Sequence, residues 1–291
     1  MKPASFDYAR AASVAHAVQL LSEAGGDAKI IAGGQSLMPM MNFRLVKPSL
    51  LVDINYIPGI DSIDRVGDKL RIGALVRHRM TAENNDIATS IPILHSAMKH
   101  VAHLTVRNRG TFCGSVCHAD PAAEMPMMTL LLNGVVNAAS VRGERAISAH
   151  AFFAGSLMTV LEADELVTSI DIDTLPEGVG WGFEEFSRRH GDYALAAVAV
   201  TMVASGGVAR DVRVGIMGVG ETPMRLPALE EMIEGNAVNE RLKHELIKCL
   251  GETITPNSDL HGSSEYRRHL AGALLGRAIT DAWTRANGRH P

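Results

Sequence analysis

The sequence predicts an α+β protein built from two small α+β units and a C-terminal domain in which a sheet and helices are mixed. Amphipathic helical patterns alternate with short apolar runs of strand length along the 291 residues, and 46% apolar residues supply a substantial core. Turn signals at Pro58-Gly59 and at residues 176–180 separate the units. We therefore expect three units, at residues 1–57, 58–174 and 177–288.

The first unit is predicted to contain one helix and two strands. Apolar residues recur at helical spacing over residues 11–25, and Gly25-Gly26 then closes the helix. Residues 29–32 and 49–54 are short apolar runs of the kind that form buried strands.

The second unit is predicted to begin and end with strands that flank helices. Pro92 and Pro126 each suit the first turn of a helix. Residues 110–120 hold too many small and polar side chains to favour either a helix or a strand, so we expect an irregular segment there. The regular elements predicted are strands at residues 69–75 and 166–172 and helices at residues 91–101 and 125–132.

The third domain contains one apolar run whose type the pattern does not decide. Residues 194–203, ALAAVAVTMV, are suited equally to a buried strand and to a buried helix. The other elements predicted here are a strand at residues 212–219 and helices at residues 228–233, 239–250 and 263–286.

Charge and composition exclude several classes of function. The 28 Lys+Arg and 32 Asp+Glu residues give a net charge of 28 − 32 = −4, and aromatic residues make up 4% of the chain. Neither value suits a surface that binds nucleic acid. The sequence has no apolar run of membrane-spanning length, and its N-terminal segment has no continuous apolar core of a signal peptide. We therefore expect a cytoplasmic protein without nucleic-acid partners and without membrane insertion.

Cysteine is too sparse to indicate a disulfide framework or a metal centre. The three cysteines are Cys113, Cys117 and Cys249, too few for a four-cysteine iron–sulfur cluster. Cys113-x3-Cys117-His118 matches no common zinc spacing, and no fourth ligand is evident. We expect no metal site in this chain, so any cluster that supplies electrons would lie on another subunit.

A glycine pair follows the second predicted strand of the first unit. Residues 32–37, AGGQSL, offer successive backbone N–H groups with a hydroxyl and an amide, which suits an anion such as a pyrophosphate. The pair Gly33-Gly34 is also a common marker of a turn without a ligand. From these residues alone both interpretations remain open, and neither a Walker motif nor a GxGxxG motif opening a βαβ unit is present.

A second candidate segment covers residues 106–126, VRNRGTFCGSVCHADPAAEMP. Hydroxyl donors are offered here by Thr111 and Ser115, and Gly114 leaves its backbone uncovered by a side chain. Asp120 and Glu124 are expected at helix starts, where free N–H groups hold carboxylates. Read without context, both acids suit plain helix caps as well as contacts to a ligand.

The conjunction of these segments resembles the FAD-binding medium subunit of the molybdenum hydroxylases, the group that includes carbon monoxide dehydrogenase and xanthine dehydrogenase. The resemblance extends over nearly the whole chain and is carried by AGGQSLMPMM, LVDINYIPGI, IGALVRH, VRNRGTFCGS, HADPAAEMP, ADELVTSIDI and RRHGDYALAAVAV. It implies an FAD-binding fold of the vanillyl-alcohol-oxidase/PCMH type in the first two units, followed by the mixed C-terminal domain.

The resemblance also implies roles for particular residues. Those that would wrap the FAD pyrophosphate are Ala32, Gly33, Gly34, Gln35, Ser36 and Leu37. Those that would contact the second phosphate and the ribityl chain, or bond the polar parts of the cofactor, are Thr111, Gly114, Ser115, Asp120 and Glu124. Ala102, Leu166 and Val167 would line the cavity more loosely. Tyr193 is the residue with a catalytic role, shielding one face of the flavin and gating the acceptor, although a half-buried packing tyrosine is an equal alternative.

By the same resemblance the chain is an oxidoreductase subunit that carries FAD and transfers electrons. The molybdenum cofactor is expected on a large partner subunit and two [2Fe–2S] clusters on a small one. Electrons would pass from the clusters through FAD to an external acceptor, in a dimer of heterotrimers.

Two other functions stay open at this stage. A free-standing FAD-dependent oxidase or reductase would need its own substrate pocket and base, for which the sequence offers no obvious residue. A non-catalytic scaffold that has lost FAD is supported only by Cys113, which stands where the family usually has glycine. If that position required a positive φ, the cysteine would add on the order of 1 kcal/mol of strain.

Overall fold

A computed structural model of the chain describes residues 2–289. Its first unit is a three-stranded parallel sheet, with the third strand in the centre, and two helices. The elements are β1 (Asp7–Arg10), α1 (Val14–Glu23), β2 (Ala28–Ile31), α2 (Leu37–Asn42) and β3 (Leu50–Asp53).

The predicted helix and both predicted strands of this unit are confirmed. The hydroxyl of Ser13 accepts a hydrogen bond from the N–H of His16 (3.1 Å) and so caps the start of α1. The helix buries Ala17, Val18 and Leu21 on the face that the apolar spacing predicts. β1 was not predicted, because it is short and exposed and lacks the apolar pattern of a strand.

The second unit is a five-stranded antiparallel sheet in the order β4-β5-β10-β6-β7, surrounded by short helices. The strands of this sheet are β4 (Ile63–Val66), β5 (Lys69–Gly73), β6 (Val135–Ser140), β7 (Gly143–Ser148) and β10 (Leu166–Asp173). Two further strands, β8 (Phe153–Gly155) and β9 (Met158–Thr159), pair separately with each other. The helices are α3 (His78–Glu83), α4 (Asn85–Ser90), α5 (Pro92–Ala97), α6 (Leu104–Arg107), α7 (Phe112–His118), α8 (Glu124–Leu131) and α9 (Ala149–Phe152).

The prediction of an irregular segment at residues 110–120 is wrong, because α7 lies within it. The hydroxyl of Thr111 caps this helix by accepting from the N–H of Gly114 (3.0 Å). One face then enters the core through Phe112, Cys113 and Val116. Burial of that face stabilises a helix that the propensities of its residues do not predict.

The C-terminal domain is an antiparallel sheet in the order β11-β12-β13-β14, covered on one side by helices. Its strands are β11 (Gly180–Ser187), β12 (Ala194–Ser205), β13 (Val208–Met217) and β14 (Met224–Arg225). Its helices are α10 (Pro227–Ile233), α11 (Glu240–Thr253) and α12 (Ser264–Ala286), which confirm the three predicted helices.

The apolar run at residues 194–203, which suits a strand or a helix equally by its pattern, forms the strand β12. Ala196, Val198 and Val200 face the core under the helices of the C-terminal domain. Ala197 and Ala199 face the core of the second unit. Because both faces of the strand are covered, the alternation of polar and apolar residues that marks a half-exposed strand does not arise.

The C-terminal sheet is therefore shared between the two cores. α5 contacts β11, and α8 contacts β13. Within residues 2–289, no helix combines the length and the apolar character needed to cross a membrane.

Two glycines allow α12 to lie directly on β11. A Cβ on Gly180 would lie 2.0 Å from the carbonyl oxygen of Ala282, and one on Gly182 would lie 2.0 Å from that of Ala278. Contacts this short are not tolerated, so each position requires glycine.

We expect Gly182→Ala to lower the free energy of unfolding by at least about 2 kcal/mol, because the added methyl group pushes α12 off the sheet. Urea denaturation followed by circular dichroism measures this change. Gly276→Ala in α12 is the control. Its Cβ would meet only Ile247 Cδ1, at 3.8 Å, so it should stabilise the helix by roughly 0.5–1 kcal/mol. Equal stability of the two variants would contradict this account.

Candidate cofactor-binding site

A cleft of about 530 Å³ opens between the loop that joins β2 to α2 and the segment that precedes α7. Ala32, Gly33, Gly34 and Gln35 line one side of it, and Arg109 lies opposite. The ends of β1 and β3 contribute the remaining polar side chains, Tyr8, Asp53 and Asn55. The two sequence segments singled out above therefore meet at one place.

The two glycines of the loop serve different purposes. A Cβ on Gly33 would lie 2.3 Å from the carbonyl oxygen of Arg109. The backbone before α7 passes so close that only glycine fits at this position. Gly34 has a φ of +70°, a conformation that other residues adopt at a cost. The pair thus makes a tight turn and also brings the backbone of two segments into contact.

The loop leaves a row of backbone donors without acceptors. Among the described residues, none accepts a hydrogen bond from the N–H groups of residues 34–37. Ser36 precedes α2 but its hydroxyl makes no capping bond within the described chain. The side-chain amide of Gln35 donates to the carbonyl of Gly33 (3.0 Å), which stiffens the loop.

Sequence reasoning missed the polar groups that hold this loop. Asn55 donates from Nδ2 to the carbonyl of Ala32 (2.9 Å), and its Oδ1 accepts from Nη2 of Arg77 (2.5 Å). Arg77 also donates to the carbonyl of Arg109. The signal was present in LVDINYIPGI, which we interpreted only as a strand and a turn although it carries Asp53 and Asn55.

Arg109 lines the cleft, and the guanidinium of Arg77 is bonded to the carbonyl of Arg109 and to Asn55, which also lines it. Burial lowers the pKa of Arg77, and the neighbouring charge of Arg109 lowers it further. Each guanidinium therefore repels the other, and an anion between them would relieve that repulsion. The pKa of Asp53 is also lowered. Burial acts to raise this pKa, but hydrogen bonds from Tyr8 and Asn55 to the carboxylate keep it below its usual value.

The start of α7 holds the second predicted group of contacts. Thr111 is buried, its oxygen accepts from the N–H of Gly114, and its hydroxyl can still donate its proton. Gly114 is exposed, and Ser115 is partly exposed in the first turn of the helix. These positions lie beside the cleft because Gly110, next to Arg109, also contacts Gly33.

A third group lies where the second unit meets the C-terminal domain. Asp120 does not cap a helix; its Oδ1 accepts from the N–H of Ala122 (2.9 Å) and forms a turn. Glu124 is the first residue of α8, and burial, with the charge of Asp120, raises its pKa to about 7. Tyr193 is 62% exposed, and its pKa is raised by burial and by the charges of Asp120 and Glu124.

The other predicted lining residues are placed less directly. Ala102 has a φ of +41° and lies against the loop that carries Tyr193, since a Cβ on Gly191 would lie 3.1 Å from its carbonyl carbon. Leu166 and Val167 are buried at the start of β10 with their side chains in the hydrophobic cores, which leaves their backbone for a ligand.

Cys113 is not strained. It lies inside α7 and does not have a positive φ, so the strain considered from the sequence does not occur. Its Sγ lies 3.5 Å from the carbonyl oxygen of Ile72, and burial raises the pKa of the thiol well above its usual value. The thiol is therefore unreactive and fills the core beneath the site.

Comparisons with known proteins agree over both parts of the chain. Residues 4–174 match the family described as the FAD binding domain in molybdopterin dehydrogenase, and residues 181–282 match the CO dehydrogenase flavoprotein C-terminal domain. The chain is 40% identical to the nicotine 6-hydroxylase medium subunit of Paenarthrobacter nicotinovorans, over 98% of this chain and 100% of that one.

Solved structures show the same fold. A chain of quinoline 2-oxidoreductase from Pseudomonas putida 86 superposes with a TM-score of 0.94 at 37% identity, over 98% of this chain and 99% of that one. A chain of the carbon monoxide dehydrogenase of Hydrogenophaga pseudoflava superposes with a TM-score of 0.95 at 34% identity, with the same coverage.

We expect Cys113→Gly to lower the free energy of unfolding by about 1 kcal/mol from helix propensity, with a further loss from the buried sulfur. The bound flavin should be unchanged, because Sγ points toward β5 and away from the cleft. Thermal unfolding and flavin absorbance measure the two effects. Cys113→Ala, which keeps the helix propensity, should lose less stability. A marked loss of flavin from either variant would give Cys113 a role of its own.

Proposed function

The chain belongs to the family of FAD-binding medium subunits of the molybdenum hydroxylases, and from this premise we propose that it passes electrons from [2Fe–2S] clusters on a partner subunit, through FAD, to an external acceptor. Its relatives are subunits of oxidoreductase complexes. The electron path is our proposal, and the cleft geometry supports the position of the cofactor.

The row of unpartnered backbone N–H groups carries the proposal. Residues 34–37 offer these donors beside a cleft that Arg109 lines, with the charge of Arg77 near that of Arg109. Successive N–H groups and paired guanidinium groups are the donors that a pyrophosphate requires.

We assign the cofactor contacts accordingly. The residues around the pyrophosphate are Ala32, Gly33, Gly34, Gln35, Ser36 and Leu37, with Gln35 acting through its backbone. The residues toward the ribityl chain and the flavin ring are Thr111, Gly114, Ser115, Asp120 and Glu124. Ala102, Leu166 and Val167 line the cavity with backbone atoms, and Tyr193 stands at the open edge of the ring.

The bound FAD would supply the redox chemistry, and the protein binds it, orients it and controls access to it. The arginines neutralise the phosphates, and the contact between Gly33 and the backbone of Arg109 keeps the cleft at a constant width. Tyr193 is a mostly exposed phenol whose proton stays in place at neutral pH, so it can cover the ring without carrying charge.

The complex we propose has three kinds of chain. A large subunit carries the molybdenum cofactor, a small subunit carries two [2Fe–2S] clusters, and this chain completes a heterotrimer that pairs into a dimer of heterotrimers. The relatives that match over their full length are named as medium subunits or as subunits of complexes, which supports this composition. We propose a cytoplasmic location and a division of the chain at residues 57/58 and 174–177.

The direct test is the absorption spectrum of the purified chain, followed by release and chromatography of its chromophore. We expect FAD in an amount equimolar with the chain. Arg109→Gln should weaken FAD binding by roughly 10- to 100-fold, because a charge-assisted hydrogen bond to phosphate is lost.

Arg79→Gln is the matched control for Arg109→Gln. Arg79 is exposed, pairs with Glu83 (2.7 Å) on α3 and does not line the cleft. The Arg79→Gln variant should bind FAD with the affinity of the unchanged protein. A colourless chain, even after production with its partner subunits, would contradict the proposed function, and equal affinity of both arginine variants would contradict the pyrophosphate assignment.

Tyr193→Phe tests the role at the flavin edge. The loss of an exposed hydroxyl should leave the FAD content intact and change the rate at which the reduced flavin is reoxidised by an external acceptor. Stopped-flow absorbance with several acceptors measures the rate. If the variant and the unchanged protein were reoxidised at the same rate by every acceptor, Tyr193 would have a packing role alone.

A further inference from the structure

Arg267 in α12 is a buried cation to which the proposed electron transfer assigns no role. Its side chain is 9% exposed, and it does not line the cleft beside the β2–α2 loop. A buried charge costs desolvation, and an apolar side chain of similar size packs a core at least as well. The hydrogen bonds of this guanidinium therefore indicate what the charge is kept for.

The guanidinium joins two strands at a place where their own pairing has ended. The ladder between β12 and β13 ends at the pair Ala197 and Met217. Beyond this pair, Nη1 of Arg267 donates to the carbonyl of Leu195 (2.8 Å) and to the carbonyl of Gly218 (3.1 Å). Arg267 thus takes the place of the next rung and holds the start of β12 against the residue that follows β13.

The same guanidinium is bonded to the loop before α12. Nη2 of Arg267 donates to Oδ2 of Asp259 (2.7 Å). Oδ1 of Asp259 accepts from the N–H groups of His261 (2.8 Å) and Gly262 (3.0 Å), which closes a tight turn. Nδ1 of His261 lies 3.4 Å from Nη1 of Arg188, in the loop between β11 and β12. The turn therefore supports that loop from a second side.

Both contacts of Nη1 lead to residues assigned to the flavin edge. Leu195 comes two residues after Tyr193, at the start of β12. Gly218 donates from its N–H to the carbonyl of Pro121 (2.8 Å), and Pro121 directly follows Asp120. One guanidinium therefore links the backbone that carries Tyr193 to the backbone that carries Asp120.

The ring of Tyr193 has little packing to hold it in place. The residue is 62% exposed. Directly after it, Ala194 pairs with Ser187 across a register shift in the ladder between β11 and β12. Such a shift disrupts a ladder locally. The position of the ring therefore depends on how firmly the backbone at Leu195 is held.

We propose that Arg267 is a positioning residue for electron transfer from the flavin, and that it acts through Tyr193. Its hydrogen bonds to Leu195, Gly218 and Asp259 are here called the clamp. The inference rests on the proposed function, in which Tyr193 covers the open edge of the flavin ring. The intact clamp keeps the tyrosine over the flavin and slows the approach of a small acceptor. When the clamp is weakened, the tyrosine is displaced more of the time and the reduced flavin is oxidised faster.

Arg267→Lys tests the clamp, because lysine keeps the positive charge but loses the planar fork of donors. A single nitrogen cannot stand where both Nη1 and Nη2 stood, so at least one bond is lost. The full-length chain loaded with FAD is reduced with stoichiometric dithionite and mixed with ferricyanide in a stopped-flow instrument. The reduced flavin passes its electron pair to ferricyanide ions and releases its protons to solvent. We expect unchanged FAD content and reoxidation roughly fivefold faster, the factor that one lost hydrogen bond contributes to an equilibrium. The visible circular dichroism of the flavin, which reports the surroundings of the ring, should change as well.

Arg268→Lys is the matched control at the next position of α12. Arg268 packs beside α11, since a Cβ on Gly251 would lie 3.6 Å from its Cδ. The same substitution there should leave the reoxidation rate and the flavin spectrum unchanged.

Asp259→Ala weakens the clamp from its outer side. The Asp259 side chain is 47% exposed, so its removal leaves no buried cavity. It should speed reoxidation in the same direction as Arg267→Lys but by only about twofold, because the ion pair that is lost is half exposed.

A combination with Tyr193→Ala separates a positioning role from a structural one. If Arg267 acts through the tyrosine, Arg267→Lys in a chain that already lacks the ring should alter the reoxidation rate by no more than about twofold. A merely structural residue would lower the thermal stability and leave the rate unchanged in either background. Thermal unfolding of every variant measures the stability independently of the rate.

The outcomes separate this inference from the proposed function. An unchanged or lower rate in a folded, FAD-loaded Arg267→Lys variant would overturn the inference and leave the proposed function intact, as would equal acceleration with and without the ring of Tyr193. Loss of FAD from that variant would assign Arg267 to binding and overturn the positioning role. If Arg267→Lys does not fold, Asp259→Ala decides, because an unchanged rate there contradicts the clamp. An unchanged protein that binds no FAD would overturn the proposed function and this inference with it.

Discussion

The close approach of two backbones at Gly33 is the constraint on which the cofactor site depends. The loop after β2 and the segment before α7 come from different units, and the crossing leaves no room for a Cβ. Arg77 secures the crossing from one side, through the carbonyl of Arg109 and the side chain of Asn55. The loop with its free N–H groups and Arg109 therefore line one cleft, and the first turn of α7 follows Arg109 closely along the chain.

Burial of polar groups then divides the site into two electrostatic regions. At the loop, backbone N–H groups without acceptors lie near the guanidinium of Arg109, and hydrogen bonds from Tyr8 and Asn55 keep the pKa of Asp53 below its usual value against the effect of burial. At the junction with the C-terminal domain the order is reversed, because Glu124 and Glu185 are buried acids with raised pKa values. A cofactor with a charged diphosphate at one end and a proton-accepting ring at the other matches this division.

The C-terminal domain matters to the site through the position of its sheet. β12 is covered on both faces, so the sheet is held against the second unit and cannot move independently of it. The tight packing of α12 on Gly180 and Gly182 holds β11 in the same way. At one end of this sheet, burial and then the charges of acids on the second unit raise the pKa values of Tyr193 and Glu185.

The sequence alone determined the local features of this protein. The spacing of apolar residues marked α1, and the glycine pair and the acids of HADPAAEMP marked both halves of the site. Only the tertiary structure decided that residues 112–118 form a helix, that residues 194–205 form a strand, and that Cys113 is an unstrained core residue. It also decided that Gly33 has no room for a side chain and that the side chain of Glu185 is buried. Periodicity reports which side of a segment is buried, whereas these outcomes depend on what a distant segment places against it.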